Sequence, residues 1–261
     1  MGISPALRRV HVIAALSACS AGAPLMAQES PPAQSEWQFE ATPYLWAAGM
    51  NGWTRLGART PTAKIDPSFS DVWSNLDIGA MGSFEARNGR WGVLFDSVYV
   101  KLSGNSEPLP GGVLGSLRVG LKQAIIQLAG AYRVLDSTVT PVDVLAGARY
   151  TYLSGDLSFT NGSVLPGGGG GWSNNASWTD GFAGVRGTWV ITDKWSVMGY
   201  ADVGSGGTRY SWQFLTGANY SFTKSIVGKL GYRIISMDYE KTGFLYDVKT
   251  SGLYAGVGIR F

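Results

Sequence analysis

Leu253-Tyr254-Ala255-Gly256-Val257-Gly258-Ile259-Arg260-Phe261 closes the sequence and decides how the rest is read. Leu253, Ala255, Val257, Ile259 and Phe261 recur at every second position, and Tyr254, Gly256, Gly258 and Arg260 fill the places between. A period of two sends the two sets to opposite faces of a β-strand. The same alternation runs back through the chain. Ile226, Leu230, Tyr232 and Ile234 oppose Lys229 and Arg233; Trp195, Val197, Gly199, Ala201 and Val203 oppose Asp202. Ala183, Val185, Gly187 and Trp189 oppose Asp180 and Arg186, and Val142 to Tyr152 alternates around Asp143 and Arg149. Leu117 to Val134 breaks step near Lys122-Gln123, where a β-bulge is expected.

In a soluble sandwich the charged face would meet water. A transmembrane barrel inverts this, with the apolar face toward lipid and the charges inside. Three features favour the inversion. The segments run to about 10 to 16 residues, long against the usual 5 to 6 of globular sheets. Charges sit at mid-strand beside glycines. Aromatics gather at the strand ends, as interfacial girdles do. Trp37, Trp91, Tyr132, Trp189, Trp195, Phe222 and Phe261 fall near one set of turns; Tyr99, Tyr152, Trp178, Tyr210, Trp212, Tyr239 and Tyr246 fall near the other. Connections alternate in the same sense. Short turns at Arg87 to Arg90, Leu135 to Thr138, Ile191 to Lys194 and Ser221 to Lys224 alternate with longer stretches such as Ser103 to Ser116 and Asp156 to Asn175. Short periplasmic turns and longer outer loops characterise outer-membrane barrels. Asn88-Gly89 is a strong hairpin signal.

The expected fold is therefore all-β, a transmembrane antiparallel up-and-down barrel. Taking Trp37 to Ala48 and Trp53 to Ile65 as separate walls gives eleven strands, an odd number that bacterial barrels avoid. Reading Gly49 to Leu76 as one outer excursion, with a small hairpin and a helical turn, gives 10, the count expected here; one missed strand would give 12 as the alternative. Phe69, Val72, Trp73 and Leu76 fall at helical spacing and suit either a lid over the barrel mouth or a capped turn on its rim.

Pro43-Tyr44-Leu45-Trp46, Asp66-Pro67-Ser68-Phe69-Ser70-Asp71 and Leu76-Asp77 resemble the start of small, uncharacterised proteobacterial outer-membrane β-barrel proteins. Asp96 with Tyr99, Gly231-Tyr232-Arg233 with Asp238-Tyr239, and Tyr246-Asp247 carry the resemblance further, and it spans roughly Trp37 to Phe261. Gly256 to Phe261 looks like the C-terminal signal read by the outer-membrane assembly machinery, with Phe261 as its last residue. The resemblance implies a place, the Gram-negative outer membrane, and a fold, but no reaction.

Composition agrees. Charged residues make up 15% of the 261, against a usual share of about 25%, with 37 Gly, 10 Trp, 12 Tyr and 10 Phe. No uncharged apolar run reaches the roughly 18 residues of a membrane helix. The abundance of aromatics and β-branched residues argues against disorder. Residues 1–27 read as a secretory signal: Arg8 and Arg9, a mostly apolar stretch from Val10 to Ala23, and a cleavage point after Ala27. A second reading takes Leu16-Ser17-Ala18-Cys19 as a lipoprotein box with Cys19 lipidated. Residues 28–36 form a polar leader, and 37–261 the barrel. Without the signal the chain carries 19 basic and 18 acidic residues, a net charge of +1 that gives no case for nucleic acid.

The only His and the only Cys, His11 and Cys19, both lie in the targeting region. A barrel without histidine lacks the usual base for a Ser or water nucleophile, and lacks Cys/His metal or haem ligands. No catalytic, cofactor or metal site is therefore expected. Acid-pair catalysis stays formally open through Glu85, Asp96, Asp143, Asp180, Asp202 and Asp247. Arg149, Arg186, Lys229, Arg233 and Arg260 share their predicted face, so paired charges filling a lumen are the simpler reading. Gly167 to Gly171 lacks the Lys-Ser/Thr of a phosphate loop and reads as a flexible outer loop; Trp172, Asn174 and Asn175 beside it suit a contact surface, but a mobile loop with an incidental Trp is the simpler reading. The functional expectation is a monomeric barrel surrounded by outer-membrane lipid and lipopolysaccharide, structural or surface-contacting, or else a narrow passive pore. A lipid-modifying enzyme and a secreted soluble barrel that binds a hydrophobic ligand are the alternatives.

Overall fold

Alternation becomes long antiparallel strands that close on themselves. The computed structural model describes residues 36–56, 61–106, 116–159, 170–241 and 243–261. The targeting region with Cys19, leader residues 28–35 and most of Gly167–Gly171 lie outside the described residues. In chain order the elements are β1 (Gln38–Leu56), β2 (Ala63–Ile65), α1 (Phe69–Ser74), β3 (Leu76–Asn88), β4 (Trp91–Ser106) and β5 (Leu117–Leu135). They continue with β6 (Val142–Phe159), β7 (Gly170–Val190), β8 (Trp195–Gly206), β9 (Tyr210–Ser221), β10 (Ile226–Lys241) and β11 (Phe244–Arg260). From β3 to β11 each strand pairs with the next, and β11 returns to β1 from Glu40↔Arg260 to Leu56↔Phe244. Ten strands thus form a closed barrel, and β2 is a three-residue partner of β1 outside the count. Closure leaves no open edge among the ten, which is what a sheet in hydrocarbon requires.

Three of the four short turns share one local device. Ser137 Oγ accepts the N–H of Val139 and Thr140, Thr192 Oγ1 those of Lys194 and Trp195, and Thr223 Oγ1 those of Ser225 and Ile226. Each hydroxyl pairs backbone donors that the end of the ladder leaves free. At the fourth turn Gly89 adopts φ 56°, the left-handed conformation that Asn-Gly supplies cheaply.

β1 does not stop at Ala48. It stays paired with β11 to Leu56, so the excursion begins eight residues later than its glycine suggested. β3 accompanies β1 only from Gln38↔Arg87 to Pro43↔Gly82. Beyond Pro43 the excursion takes the place of β3: β2 pairs with Gly52 to Thr54, and Pro67 accepts the Met50 N–H at 3.0 Å. Between these contacts the Trp46 N–H turns to Met81 Sδ, 3.2 Å away. α1 starts in a capping box formed by Ser68 and Asp71 and buries none of its residues. The Ser68 hydroxyl and N–H hold the Asp71 carboxyl below its ordinary range. Phe69 and Trp73 meet as a tilted pair at 5.8 Å and remain exposed, so α1 is a capped turn beside β1 and does not fill the lumen.

The expected bulge at Lys122-Gln123 is absent. β4, β5 and β6 keep register there, and the one shift in β5 lies between Arg133 and Leu135. The apparent slip arises because inward positions change character: Gln123 and Gln127 alternate on that face with Ile125 and Leu121. The girdle at the turn end forms, with Trp37, Trp91, Trp189, Trp195, Phe222 and Phe261 exposed outside the barrel. At the loop end Tyr99 and Tyr210 are exposed, but Trp178, Tyr239 and Tyr246 are buried inside. They share the parity of the lumen charges on their strands, and parity overrides position along the strand.

Two inward glycines have a specific duty. Gly217 and Gly231 are cross-strand neighbours, and Tyr254, opposite Gly231 on β11, lays its ring across both. A Cβ at Gly231 would meet Tyr254 Cε1 at 2.5 Å and the Thr216 carbonyl oxygen. Gly231→Ala is expected to cost about 1–3 kcal/mol in urea unfolding from vesicles. Gly187→Ala, which faces open space outside, should stay within about 0.5 kcal/mol.

Candidate functional site

The lumen is the site, and it is layered along the barrel axis. On β6 and β10 the inward face reads from turn end to loop end as charged, then ionic and fully buried, then apolar. β6 carries Asp143, Arg149 and Leu153 in that order, and β10 carries Lys229, Arg233 and Met237. All ten charged residues expected inside lie on inward faces, with the half-exposed Arg260 at the mouth. Asp247 is corrected. It alternates with the buried Tyr246 and Val248 and therefore faces outward at the rim.

At the turn end three guanidiniums surround two carboxylates. Glu85 accepts from Arg87 at 2.9 Å and from Arg186 at 2.7 Å; Asp143 accepts from Arg87 at 2.8 Å, Arg133 at 2.9 Å and Arg186 at 2.7 Å. Beside them Glu40 takes Lys229 and, at 2.8 Å, Arg260. All of these but Asp143 line an open cavity of 620 Å³. Glu40, Arg87 and Arg133 were not anticipated. Their parity matches Tyr44, Glu85 and Gln127 on the same strands, and that match was the available signal.

At mid-barrel six side chains make a closed ring. Arg149, with no exposed surface, donates to Asp202 at 2.6 and 2.7 Å and to Gln127 Oε1 at 2.8 Å. Gln127 Nε2 donates to Asp96 at 3.2 Å, and Asp96 accepts from Arg233 at 2.9 Å. Arg233 reaches Gln213 Oε1 at 2.8 Å, and Gln213 Nε2 returns to Asp202 at 3.3 Å. Tyr44 OH donates to Asp96 and Tyr200 OH to Asp202, at 2.8 and 2.6 Å. Arg149 also lies over Phe182, and Arg233 over Trp46, each 5.0 Å from the ring centre. Two arginines and two aspartates cancel, and the glutamines bridge them.

Above the ring the lumen is apolar. Trp178 stacks on Tyr239 at 4.2 Å and tilts against Tyr246 at 5.9 Å, with Ile125, Leu153, Ile235, Met237 and Val248 packed in the same cluster. Asp180, fully buried, holds the β8–β9 connection by accepting the Thr208 N–H and hydroxyl, both at 2.8 Å. Among the described residues no group of three acids, His or Cys is placed to hold a metal ion.

No family model matches the chain, and no curated protein does. Among solved structures, the outer membrane protease OmpT from Escherichia coli aligns with a TM-score of 0.53 at 10% identity, covering 87% of this chain and 97% of that one. The fold is that of an outer-membrane β-barrel. At that identity the likeness extends to architecture alone. Ail of Yersinia pestis (TM-score 0.38, 13% identity, 86% of this chain and 98% of that one) and Neisserial surface protein A (0.35, 17%, 86% and 97%) also match.

Proposed function

We propose that this protein is a monomeric, non-enzymatic barrel of the Gram-negative outer membrane, closed to solutes, whose packed lumen stiffens a wall that carries surface-exposed strands. Membrane residence is supported by the outward apolar faces. On β4 they run from Trp91 through Val93 and Phe95 to Tyr99, roughly 20 Å along the axis at ordinary strand rise and tilt. The girdle and short turns then mark the periplasmic end. β4 to β7 continue several residues past this band, which suits contact at the cell surface and surrounding lipopolysaccharide.

One observation carries the closed reading: the lumen is crossed twice, by the six-membered ionic ring and by the Trp178–Tyr239 cluster above it. Against an enzyme, Glu40, Glu85, Asp96, Asp143 and Asp202 are each held by Arg or Lys, so none is free to act as an acid or base in a pair. Planar-bilayer recording tests the proposal. Folded protein is expected to give no single-channel steps, and stable steps would establish the narrow pore instead.

A further inference from the structure

We propose that the turn-end half of the lumen is a blind pocket for a small amphipathic carboxylic acid, its apolar body beneath the ionic ring and its carboxylate at the mouth. Directly below the ring lies a cavity of 160 Å³. Six successive strands, β4 to β9, each give it one apolar side chain: Leu94, Ala129, Leu145, Phe182, Met198 and Leu215. Asp96, Gln127, Gln213 and Arg233 of the ring also line it and close its upper end. Protein interiors hold few voids larger than a water molecule, and an apolar cavity of about 150 Å³ accepts a benzene-sized guest. The chamber thus has room for one six-membered ring or a short branched chain. Glu40, Glu85, Arg186, Met198 and Lys229 line both this chamber and the 620 Å³ mouth, so the two adjoin. The proposal goes beyond the closed reading above and takes from it only the ring as the end wall of the pocket.

Charge selects an anionic head. Arg87, Arg133, Arg186, Lys229 and Arg260 meet Glu40, Glu85 and Asp143, five positive charges against three negative. Among the described residues the turns around the mouth are balanced, Arg90, Lys194 and Lys224 against Glu36, Asp136 and Asp193. A positive excess survives even when a terminal carboxylate on Phe261 is counted. The five cations are not equally engaged. Arg87 and Arg186 each give Nε and both terminal nitrogens to Glu85 and Asp143. Arg133 and Arg260 give only Nε, the first to Asp143 and the second to Glu40. Their terminal nitrogens have no acceptor among the described residues, and both guanidiniums line the mouth. Each is a planar fork whose geometry suits a carboxylate. Low-dielectric walls focus the field of such an excess along the cleft and draw an anion to it.

Fluorobenzoate, followed by fluorine NMR line width with the full chain folded in detergent micelles, tests this. The line should broaden beyond its width in empty micelles, and benzoate should reverse the broadening. Benzyl alcohol, of similar size without the charge, and acetate, with the charge but no body, should each compete about tenfold less well. The R133Q/R260Q variant should bind about tenfold more weakly. Ala129→Leu, which fills the chamber, should bind more weakly by at least as much. Arg209→Gln, at the exposed loop-end rim, should bind like the wild type. Gel migration of unheated samples scores the folding of each variant, and Met198→Phe fills the chamber from β8 where Ala129→Leu fails to fold. No broadening beyond empty micelles would overturn the proposal. So would equal competition by benzyl alcohol or acetate, or unchanged binding in a folded variant with a filled chamber. Single-channel steps from protein that still binds fluorobenzoate would overturn the closed reading and leave the binding site standing.

Discussion

Arg149→Ala is expected to destabilise the folded barrel by about 3–5 kcal/mol, the usual cost of leaving a buried charge without its partner. Arg149 has no exposed surface, and neither does its partner in the pair, Asp202. Removing the guanidinium leaves that buried carboxylate with only Tyr200 OH and Gln213 Nε2 as donors and an uncompensated charge. It also takes the donor from Gln127 Oε1 and uncovers the face of Phe182. The loss is read as a lower midpoint in urea unfolding from vesicles, followed by tryptophan fluorescence. Arg149→Met combined with Asp202→Leu separates charge from shape. Both charges then leave together, and replacing a buried pair by apolar residues of similar volume is often neutral or stabilising. The double variant should therefore recover most of the stability, leaving the smaller cost of Tyr200 OH and Gln213 Nε2 without their acceptor. An Arg149→Ala protein as stable as the wild type would mean that the ring contributes nothing to the fold.

The barrel was legible because one chemical contrast repeats. Where charges alternate with Val, Leu or Trp, as from Asp180 to Trp189, each strand declares its inner and outer faces. Even parity then decided ten walls over eleven, and β11 returning to β1 bears it out. The contrast fades in two places, and there the reading failed. In Phe39 to Trp46 the inward Tyr44 and Trp46 are as aromatic as the outward Phe39, so Glu40 gave no sign of belonging to a lumen cluster. In Leu121 to Gln127 both inward and outward positions carry aliphatic residues, which mimicked a bulge. The ring lies beyond any one strand. Its members come from β4, β5, β6, β8, β9 and β10, and only cross-strand register brings Gln127 opposite Arg149 and Gln213 opposite Asp202.

Trp178→Ala is expected to cost about 3–5 kcal/mol as well, but through a different term, the cavity left in a packed cluster. Trp178 is 5% exposed, stacked on Tyr239 and touching Tyr246. Trp189, eleven residues along the same strand, is 61% exposed on the outer face. Trp189→Ala removes an interfacial anchor and leaves no internal void, so its cost should be roughly 1 kcal/mol or less. Trp189 lies at the turn end of β7 and Trp178 near its middle, and their opposite parity sends only Trp178 inward. Trp178→Phe sharpens the test. The indole Nε1 of Trp178 has no acceptor among the described residues, so a phenyl ring forfeits area but no hydrogen bond. Phe at this position should therefore retain most of the stability that Ala loses. Equal losses for Trp178→Ala and Trp189→Ala would sink the internal plug, because a ring of aromatics facing lipid at both ends predicts that equality.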